Sequence, residues 1–165
     1  MRTAQNLRKE AKLWPKGHHF EDFKVGQKFR HHWGRTFLAS DVVTFSSLCL
    51  NYHPAFHNRE YARRLGHSDL PVNQMLLFLT VFGMSVEDLS EIGGAFLGVD
   101  RLTFYGRPVV GDTVTARSEV IAMRESQRRP HQGIVTWLTS GCDQNGELVV
   151  QFERTNLISK RCDMA

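Results

Sequence analysis

The feature that most constrains the fold is an apolar segment that runs from Asn73 to about Leu89. Its apolar side chains occupy most of the circumference of a helix rather than one stripe: Met75, Leu76, Leu77, Phe78, Leu79, Val81 and Phe82. A helix that is apolar on every side is normally buried by the rest of its domain. The sequence therefore predicts one central helix, begun by Asn73 as a capping residue, with the remaining chain wrapped around it.

The surface that wraps this helix is predicted to be an antiparallel sheet. Four runs rich in β-branched and aromatic residues follow the helix: Phe96–Tyr105, Thr113–Met123, Gly133–Cys142 and Leu148–Ile158. Asn145-Gly146 is typical of a tight hairpin turn between the last two runs. The expected fold is therefore α+β, with a sheet around a central helix.

The first half of the chain predicts shorter elements. A strand is expected at 28–37, followed by a short helix that begins at Ser40-Asp41. A second helix is expected over Arg59–Leu65, capped by Asn58 and ended by Gly66.

A chain of 165 residues suits one domain, which we place at 18–165 after a basic arm at 1–17. The formal charge of +4 suits a polyanionic small ligand, but the cations are too scattered to indicate nucleic acid. Three cysteines without CxxC spacing favour a reducing compartment. No secretory signal or membrane-spanning segment is predicted, so the expected location is the cytoplasm.

The stretch most indicative of function is NYHPAFHN, residues 51–58. Two imidazoles, His53 and His57, flank Pro54, and an asparagine stands at each end of the stretch. We expect this turn to be buried, and burying polar groups without partners is unfavourable. The pattern therefore predicts a binding or catalytic site.

A metal site is the alternative for the same histidines. His53 and His57 have the spacing of helical zinc ligands, but Pro54 disfavours a helix there and no H-E-x-x-H pattern is present. The adjacent pairs at 18–19 and 31–32 point different ways on any regular element, and we interpret them as solvated surface. No metal and no cofactor are expected.

The order of these features resembles the MaoC-like (R)-specific enoyl-CoA hydratase family of hot-dog folds. The resemblance is carried by Phe20–Gly26, the turn at 51–58, the helix after Asn73, and RPVVGDT at 107–113. Three stretches are most similar to the branch that acts on mesaconyl-, itaconyl- or methylmalyl-CoA: Asn58–His67, Phe82–Ser90 and Ile134–Trp137. The resemblance implies an acyl-CoA or acyl-carrier thioester as substrate. It also implies a homodimer in which sheets join edge to edge, with the pocket at the interface.

The family's catalytic motif, Asp-x-Asn-Pro-x-His, is altered in this chain. Aligned on Pro54 and on the small residue Ala62, the motif's Asp falls on Asn51, its Asn on His53 and its His on Phe56. In the family the Asp and His hold the water that adds to C3, which is general acid–base work. Both proton-handling positions therefore differ here.

Three interpretations remain open at this point. In the leading one, His57 takes the catalytic histidine's role while Asn51 and His53 position water, and the chain is a hydro-lyase. In the second, Phe56 closes the pocket, and the chain binds acyl-CoA or supports an active partner without chemistry of its own. In the third, the chain hydrolyses a thioester with Glu87 or Asp88 near the far end of the central helix.

The resemblance also implies substrate contacts. The family's His-Gly-Met-Leu becomes Asn73-Gln74-Met75-Leu76, so the backbone N–H of Gln74 would bind the thioester oxygen. Asn73, Phe56 and Tyr52 are further candidates for contact with substrate. Arg101, Arg107 and Lys160 are candidate contacts for the CoA phosphates.

Overall fold

The computed structural model describes residues 17–161, so the predicted arm lies outside the described residues apart from Gly17. The helices are α1 (Ala39–Leu48), α2 (Arg59–Arg64), α3 (Gln74–Met84) and α4 (Val86–Leu89). The strands are β1 (Lys28–Arg30), β2 (Arg35–Thr36), β3 (Phe96–Phe104), β4 (Thr113–Glu125), β5 (Gln132–Cys142) and β6 (Leu148–Ser159).

All strand pairs are antiparallel, in the order β1-β4-β5-β6-β3, and β2 pairs with the start of β4. The four predicted long strands are confirmed, with ends shifted by a few residues. The tight turn between β5 and β6 is also confirmed, and Gly146 adopts the positive φ of 86° that such a turn requires.

The sheet curves around α3, but it buries only one face of that helix. Leu77 and Val81 are fully buried against apolar residues of the sheet, whereas Leu79 is 50% exposed and Met75 is 44% exposed. The prediction that the helix is buried on every side is therefore wrong for the single chain, because the sheet can cover only one side of it.

Close contact between α3 and the sheet depends on a glycine in β5. A Cβ atom placed on Gly141 would lie 2.6 Å from Val81 Cγ2 and 2.9 Å from Val150 Cγ1. Glycine at this position therefore lets the helix approach the sheet more closely than any side chain would allow.

The predicted helix to Leu89 is interrupted at Ser85, and the predicted strand at 28–37 is interrupted at Trp33. Ser85 Oγ donates a hydrogen bond to the carbonyl oxygen of Phe82, 2.7 Å away, which closes α3 before α4 begins. Trp33 has a φ of 63°, which no regular strand contains. Both predicted elements were too long.

The beginning of α1 also differs slightly from the prediction. The helix starts at Ala39, and Asp41 Oδ2 accepts a hydrogen bond of 2.9 Å from the backbone N–H of Leu38. Asp41 therefore lies within the first turn of the helix and binds the residue before it, instead of being the residue that precedes the helix.

A second apolar cluster is formed by Phe23, Leu89, Val120, Val135, Trp137 and Ile158, and Phe29 packs against it. A polar network lies near it, at the end of α4. His31 is buried, with Nδ1 2.6 Å from Asp88 Oδ2 and Nε2 2.8 Å from Ser118 Oγ. His32 lies 3.2 Å from Glu87 at the surface. The prediction that these histidines are both solvated is therefore wrong for His31.

The same region buries an arginine. Arg154 donates hydrogen bonds to Asn156, to Ser85 at 2.8 Å and to Ser90, and its guanidinium lies 4.2 Å from the centroid of the Phe82 ring. Burial lowers the pKa of Arg154 to about 10. Arg154 therefore donates hydrogen bonds to both serines at which the helical segment is interrupted, Ser85 and Ser90. Within residues 17–161, no helix is long and apolar enough to cross a membrane.

Candidate active site

The turn at 51–58 joins α1 to α2. Pro54–Phe56 form one turn of 3-10 helix, and Pro54 occupies its first position, where a missing N–H costs nothing. Ala55 is 4% exposed and anchors the turn, whereas Tyr52 and His53 are exposed. The prediction of a buried turn is therefore wrong in the single chain, because most of its polar groups reach the surface and are solvated.

The backbone of this turn selects the tautomers of its two histidines. His57 Nε2 lies 3.3 Å from the carbonyl oxygen of Asn51, which can only accept, so Nε2 carries the proton and the neutral ring keeps Nδ1 as an acceptor. His53 Nδ1 accepts from the backbone N–H of Ala55 at 3.3 Å, so the neutral ring of His53 keeps Nε2–H as a donor. In its neutral form His57 thus presents a hydrogen-bond acceptor, Nδ1, and His53 presents a hydrogen-bond donor, Nε2–H.

The other predicted residues of the turn support this arrangement. Asn51 Oδ1 accepts a long hydrogen bond, 3.4 Å, from the backbone N–H of His53, which leaves its NH₂ group free to donate. Phe56 packs against the apolar cluster that includes Leu77 and Val81 of α3, and its ring lies 6.0 Å from that of His53. Tyr52 lies beside His57, with 6.4 Å between ring centroids.

The start of α3 offers a backbone amide. Asn73 is buried, and its Oδ1 accepts a hydrogen bond of 2.9 Å from the N–H of Met75, which confirms Asn73 as the helix cap. Within residues 17–161 we find no acceptor for the N–H of Gln74, the first amide of the helix. This amide points out of the positive end of the helix dipole, where it favours a negatively charged oxygen.

A groove of about 570 Å³ lies between α1 and α3. Its walls include Leu48 near the turn, Leu76 in the first turn of α3 and Gly83 in the last. The groove therefore follows most of α3, which is about 15 Å long at 1.5 Å per residue. Arg35 and Asp41 also line it and form an ion pair of 2.9 Å. The sequence did not reveal this groove, since it depends on how two helices pack.

Glu87 and Asp88, the residues predicted for thioester hydrolysis, contact histidines of the chain. Asp88 contacts His31, and Glu87 contacts His32. Both carboxylates follow the C-terminal end of α3, more than about 15 Å along the helix axis from Gln74. They lie too far from that amide to act on a carbonyl bound there.

The candidate contacts for phosphate are scattered. Arg101 pairs with Glu153 at 2.7 Å and Lys160 with Glu125 at 2.9 Å, while Arg107 has no ion pair within the described residues. No group of three or more His, Cys, Asp or Glu side chains in residues 17–161 is arranged to hold a metal ion.

Comparison with known proteins identifies relatives of this chain. The family model for mesaconyl-CoA hydratase matches residues 2–165. A mesaconyl-CoA hydratase of Haloarcula marismortui is 37% identical over 160 residues, which cover 96% of this chain and 45% of that protein. An (R)-specific enoyl-CoA hydratase of Aeromonas caviae is 32% identical over 133 residues, which cover 81% of this chain and 93% of that protein.

Solved structures of MaoC-like and hot-dog proteins are also similar to this chain. A MaoC domain dehydratase from Chloroflexus aurantiacus superimposes with a TM-score of 0.84 and 31% identity, over 94% of this chain and 44% of that one. A double hot-dog protein from Mycobacterium tuberculosis shares the fold, with a TM-score of 0.80 and 22% identity, over 90% of this chain and 46% of that one. The chain spans about half the length of the mesaconyl-CoA hydratases that it matches. It has the hot-dog fold and belongs to the mesaconyl-CoA hydratase family of MaoC-like proteins.

Proposed function

We propose that this chain is a hydro-lyase unit that reversibly adds water to the C2–C3 double bond of a short branched or dicarboxylic enoyl-CoA, or of the same acyl group on a carrier protein. The observation that carries the proposal is the family match over residues 2–165, with 37% identity to a mesaconyl-CoA hydratase. The chemistry then has to be supplied by a turn in which the usual Asp and His are absent.

The amide of Gln74 polarises the substrate. When water adds at C3, electrons move through C2 toward the thioester oxygen, which becomes an enolate oxygen. A free N–H at the positive end of α3 stabilises that charge more than it stabilises the neutral carbonyl. The cap formed by Asn73 holds this amide in place.

His57 carries the proton transfers, and His53 holds the water. His57 Nδ1 is the acceptor that removes a proton from the attacking water, whose oxygen bonds to C3. The imidazolium formed at His57 then returns this proton to C2 of the enolate, which restores the thioester carbonyl, while neutral His53 donates a hydrogen bond to the water through Nε2–H. The NH₂ group of Asn51 orients the water. Dehydration runs through the same steps in reverse.

The groove between α1 and α3 receives the acyl group. Its apolar walls, Leu76 and Leu79 among them, suit a branched carbon skeleton, and Leu48 connects the groove to the catalytic turn. The thioester then lies at the Gln74 end, with CoA or the carrier outside.

The homodimer is part of this proposal. Strand β3 ends the sheet, and no described strand pairs with its other edge. Phe96 and Leu97 at its start are about half exposed, as is Leu79 on the uncovered face of α3. A second copy that joins along β3 would cover these side chains and enclose the catalytic turn, which one chain leaves open to water.

A second candidate is an accessory subunit that binds the thioester for an active partner. It is favoured by the replacement of the motif's Asp and His by Asn51 and Phe56. In that case the wild-type chain alone turns over no thioester, although it still binds one.

The test removes the Gln74 amide without removing the helix. Gln74→Pro deletes the N–H at the first helical position, where proline is well accommodated, and Asn73 already has the extended backbone that a following proline requires. Gln74→Ala, which keeps the N–H, is the matched control. Crotonyl-, mesaconyl- and itaconyl-CoA serve as substrates, and chromatography of the CoA esters measures hydration.

We expect turnover of at least one of these esters by the wild type and by Gln74→Ala. The proline variant should lose about 100-fold or more in kcat, as removal of an oxyanion donor does elsewhere. Equal rates for the proline and alanine variants would refute the role of this amide. No turnover by the wild type would favour the accessory subunit.

A further inference from the structure

We propose that the outer face of the sheet carries a second site, for the phosphate or pyrophosphate group of a small molecule. The site is centred on Arg30 of β1 and Arg117 of β4, which are directly paired across the two strands. It lies on the opposite face of the sheet from α3, so it is separate from the proposed thioester site and does not rest on that function.

The strand register places both arginines on the outer face. Phe29 packs inward against the second apolar cluster, and Ser118 reaches His31 in the interior. Because successive side chains of a strand point to opposite faces, their neighbours Arg30 and Arg117 point outward. Both line a groove of about 760 Å³ on that face.

Two like charges directly opposite each other destabilise a sheet unless a counter-charge lies between them. The nearby carboxylates are already engaged, since Glu119 faces Lys28 at 3.7 Å and Glu153 binds Arg101 at 2.7 Å. Within residues 17–161, neither Arg30 nor Arg117 has an ion pair. The register therefore places two arginines directly opposite each other, and no carboxylate of the described residues pairs with either.

The same cross-strand row continues with neutral hydrogen-bonding groups. Arg117 pairs with Ser140 of β5, and Ser140 pairs with Gln151 of β6. Gln151 Nε2 donates to Ser140 Oγ at 3.0 Å, so the Ser140 hydroxyl proton is available to another acceptor. Ser140 is only 6% exposed, although it lies on the outer face and lines the groove. It forms a buried floor beside Arg117, on the side away from Arg30.

This combination fits a phosphate group. Guanidinium groups bind phosphate through paired, charge-assisted hydrogen bonds, and a hydroxyl donor at the floor adds a third direction. A bound dianion would also remove the repulsion between Arg30 and Arg117. A groove of about 760 Å³ has room for the organic part of such a molecule beside the phosphate.

The test is calorimetric titration of the whole chain with inorganic pyrophosphate and, in a second arm, with ADP, at constant ionic strength set by sodium chloride. The variants are Arg30→Gln and Arg117→Gln, with Arg30→Lys in case the first does not fold. Arg124→Gln is the matched control, because Arg124 lies further along β4, is exposed and has no ion pair within the described residues.

We expect the wild type and Arg124→Gln to bind with similar affinity, and each of the two Gln variants to bind at least about tenfold more weakly, as the loss of one charge-assisted contact predicts. Tighter binding of ADP than of pyrophosphate would assign a nucleotide, and the reverse would assign the pyrophosphate group alone. No binding by the wild type, or equal weakening by Arg124→Gln, would overturn the site.

Discussion

His57 Nε2 lies 3.3 Å from the backbone carbonyl oxygen of Asn51, so the turn itself holds His57 as the tautomer whose Nδ1 can accept a proton. The same turn fixes His53 in the complementary tautomer through the N–H of Ala55. A backbone contact of this kind survives changes in side chains nearby. In the proposed mechanism, a turn that lacks the family's Asp and His therefore still holds one base, His57, and one hydrogen-bond donor, His53.

The cap of α3 should be worth about 1 kcal/mol of stability, because Asn73 Oδ1 satisfies the N–H of Met75. Asn73→Ala should lower the free energy of unfolding by that amount in urea titrations, whereas Asn73→Asp should keep most of the stability. An alanine variant as stable as the wild type would show that the cap does not hold the helix start.

Stability should fall as the pH drops below the ordinary pKa of histidine. Burial lowers the pKa of His31 from its usual 6.5, and the charges of Arg154 and His32 lower it further, although the hydrogen bond and charge of Asp88 act in the opposite direction. A histidine whose pKa is depressed by folding contributes its full stability above 6.5 and loses it as the pH falls toward the folded value.

The measurement is the free energy of unfolding of the wild type and of His31→Gln between about pH 8 and pH 5.5, a window centred near the histidine pKa. The variant should be less stable at the upper end and should depend less steeply on pH. Parallel curves for the two proteins would mean that His31 does not titrate with folding.

Substitution by alanine should change the stability of the protein in opposite directions at two glycines. Gly141→Ala places a Cβ atom 2.6 Å from Val81 Cγ2 and should cost about 1–3 kcal/mol through overpacking. Gly83→Ala meets no atom within 4 Å and should add about 0.5–1 kcal/mol, because alanine is the better helix former. Thermal unfolding of both variants checks the prediction, which fails if Gly141→Ala is as stable as the wild type.

The proposed dimer should be disrupted by a charge at the free edge of the sheet. Leu97→Glu introduces a carboxylate at the start of β3 and should shift the protein toward monomer in sedimentation experiments. Val25→Glu, at another exposed apolar position, is the matched control and should leave the assembly unchanged. If both variants sediment like the wild type, the interface does not include β3.

Much of the fold was predictable because its long strands and helix starts depend on residues close together in the sequence. Alternating β-branched residues predicted the four long strands, and Asn58 and Asn73 predicted helix starts through side-chain caps that the structure contains. The break at Ser85 was not predictable, because it depends on Arg154, which is 69 residues away in the chain. The burial of His31 depends in the same way on Asp88 and Ser118.

The candidate site was predictable only as a set of residues. The spacing of His53 and His57 indicated a site, but their tautomers follow from contacts with the backbone of Asn51 and Ala55. The groove beside the turn depends on the packing of α1 against α3, and the sequence contains no periodic signal for it. The exposure of Tyr52 and His53 was not predictable either, since it depends on which parts of the single chain pack over the turn.

In the proposed mechanism, His57 takes over the role of the base in the family's motif, one residue beyond its usual place. The most direct measurement is kcat/KM for hydration of mesaconyl-CoA by the wild type, by His57→Ala and by His131→Ala, where His131 is an exposed histidine far along the chain. Loss of a general base predicts a fall of about 100-fold or more for His57→Ala and no change for His131→Ala. Equal values for His57→Ala and the wild type would contradict the account.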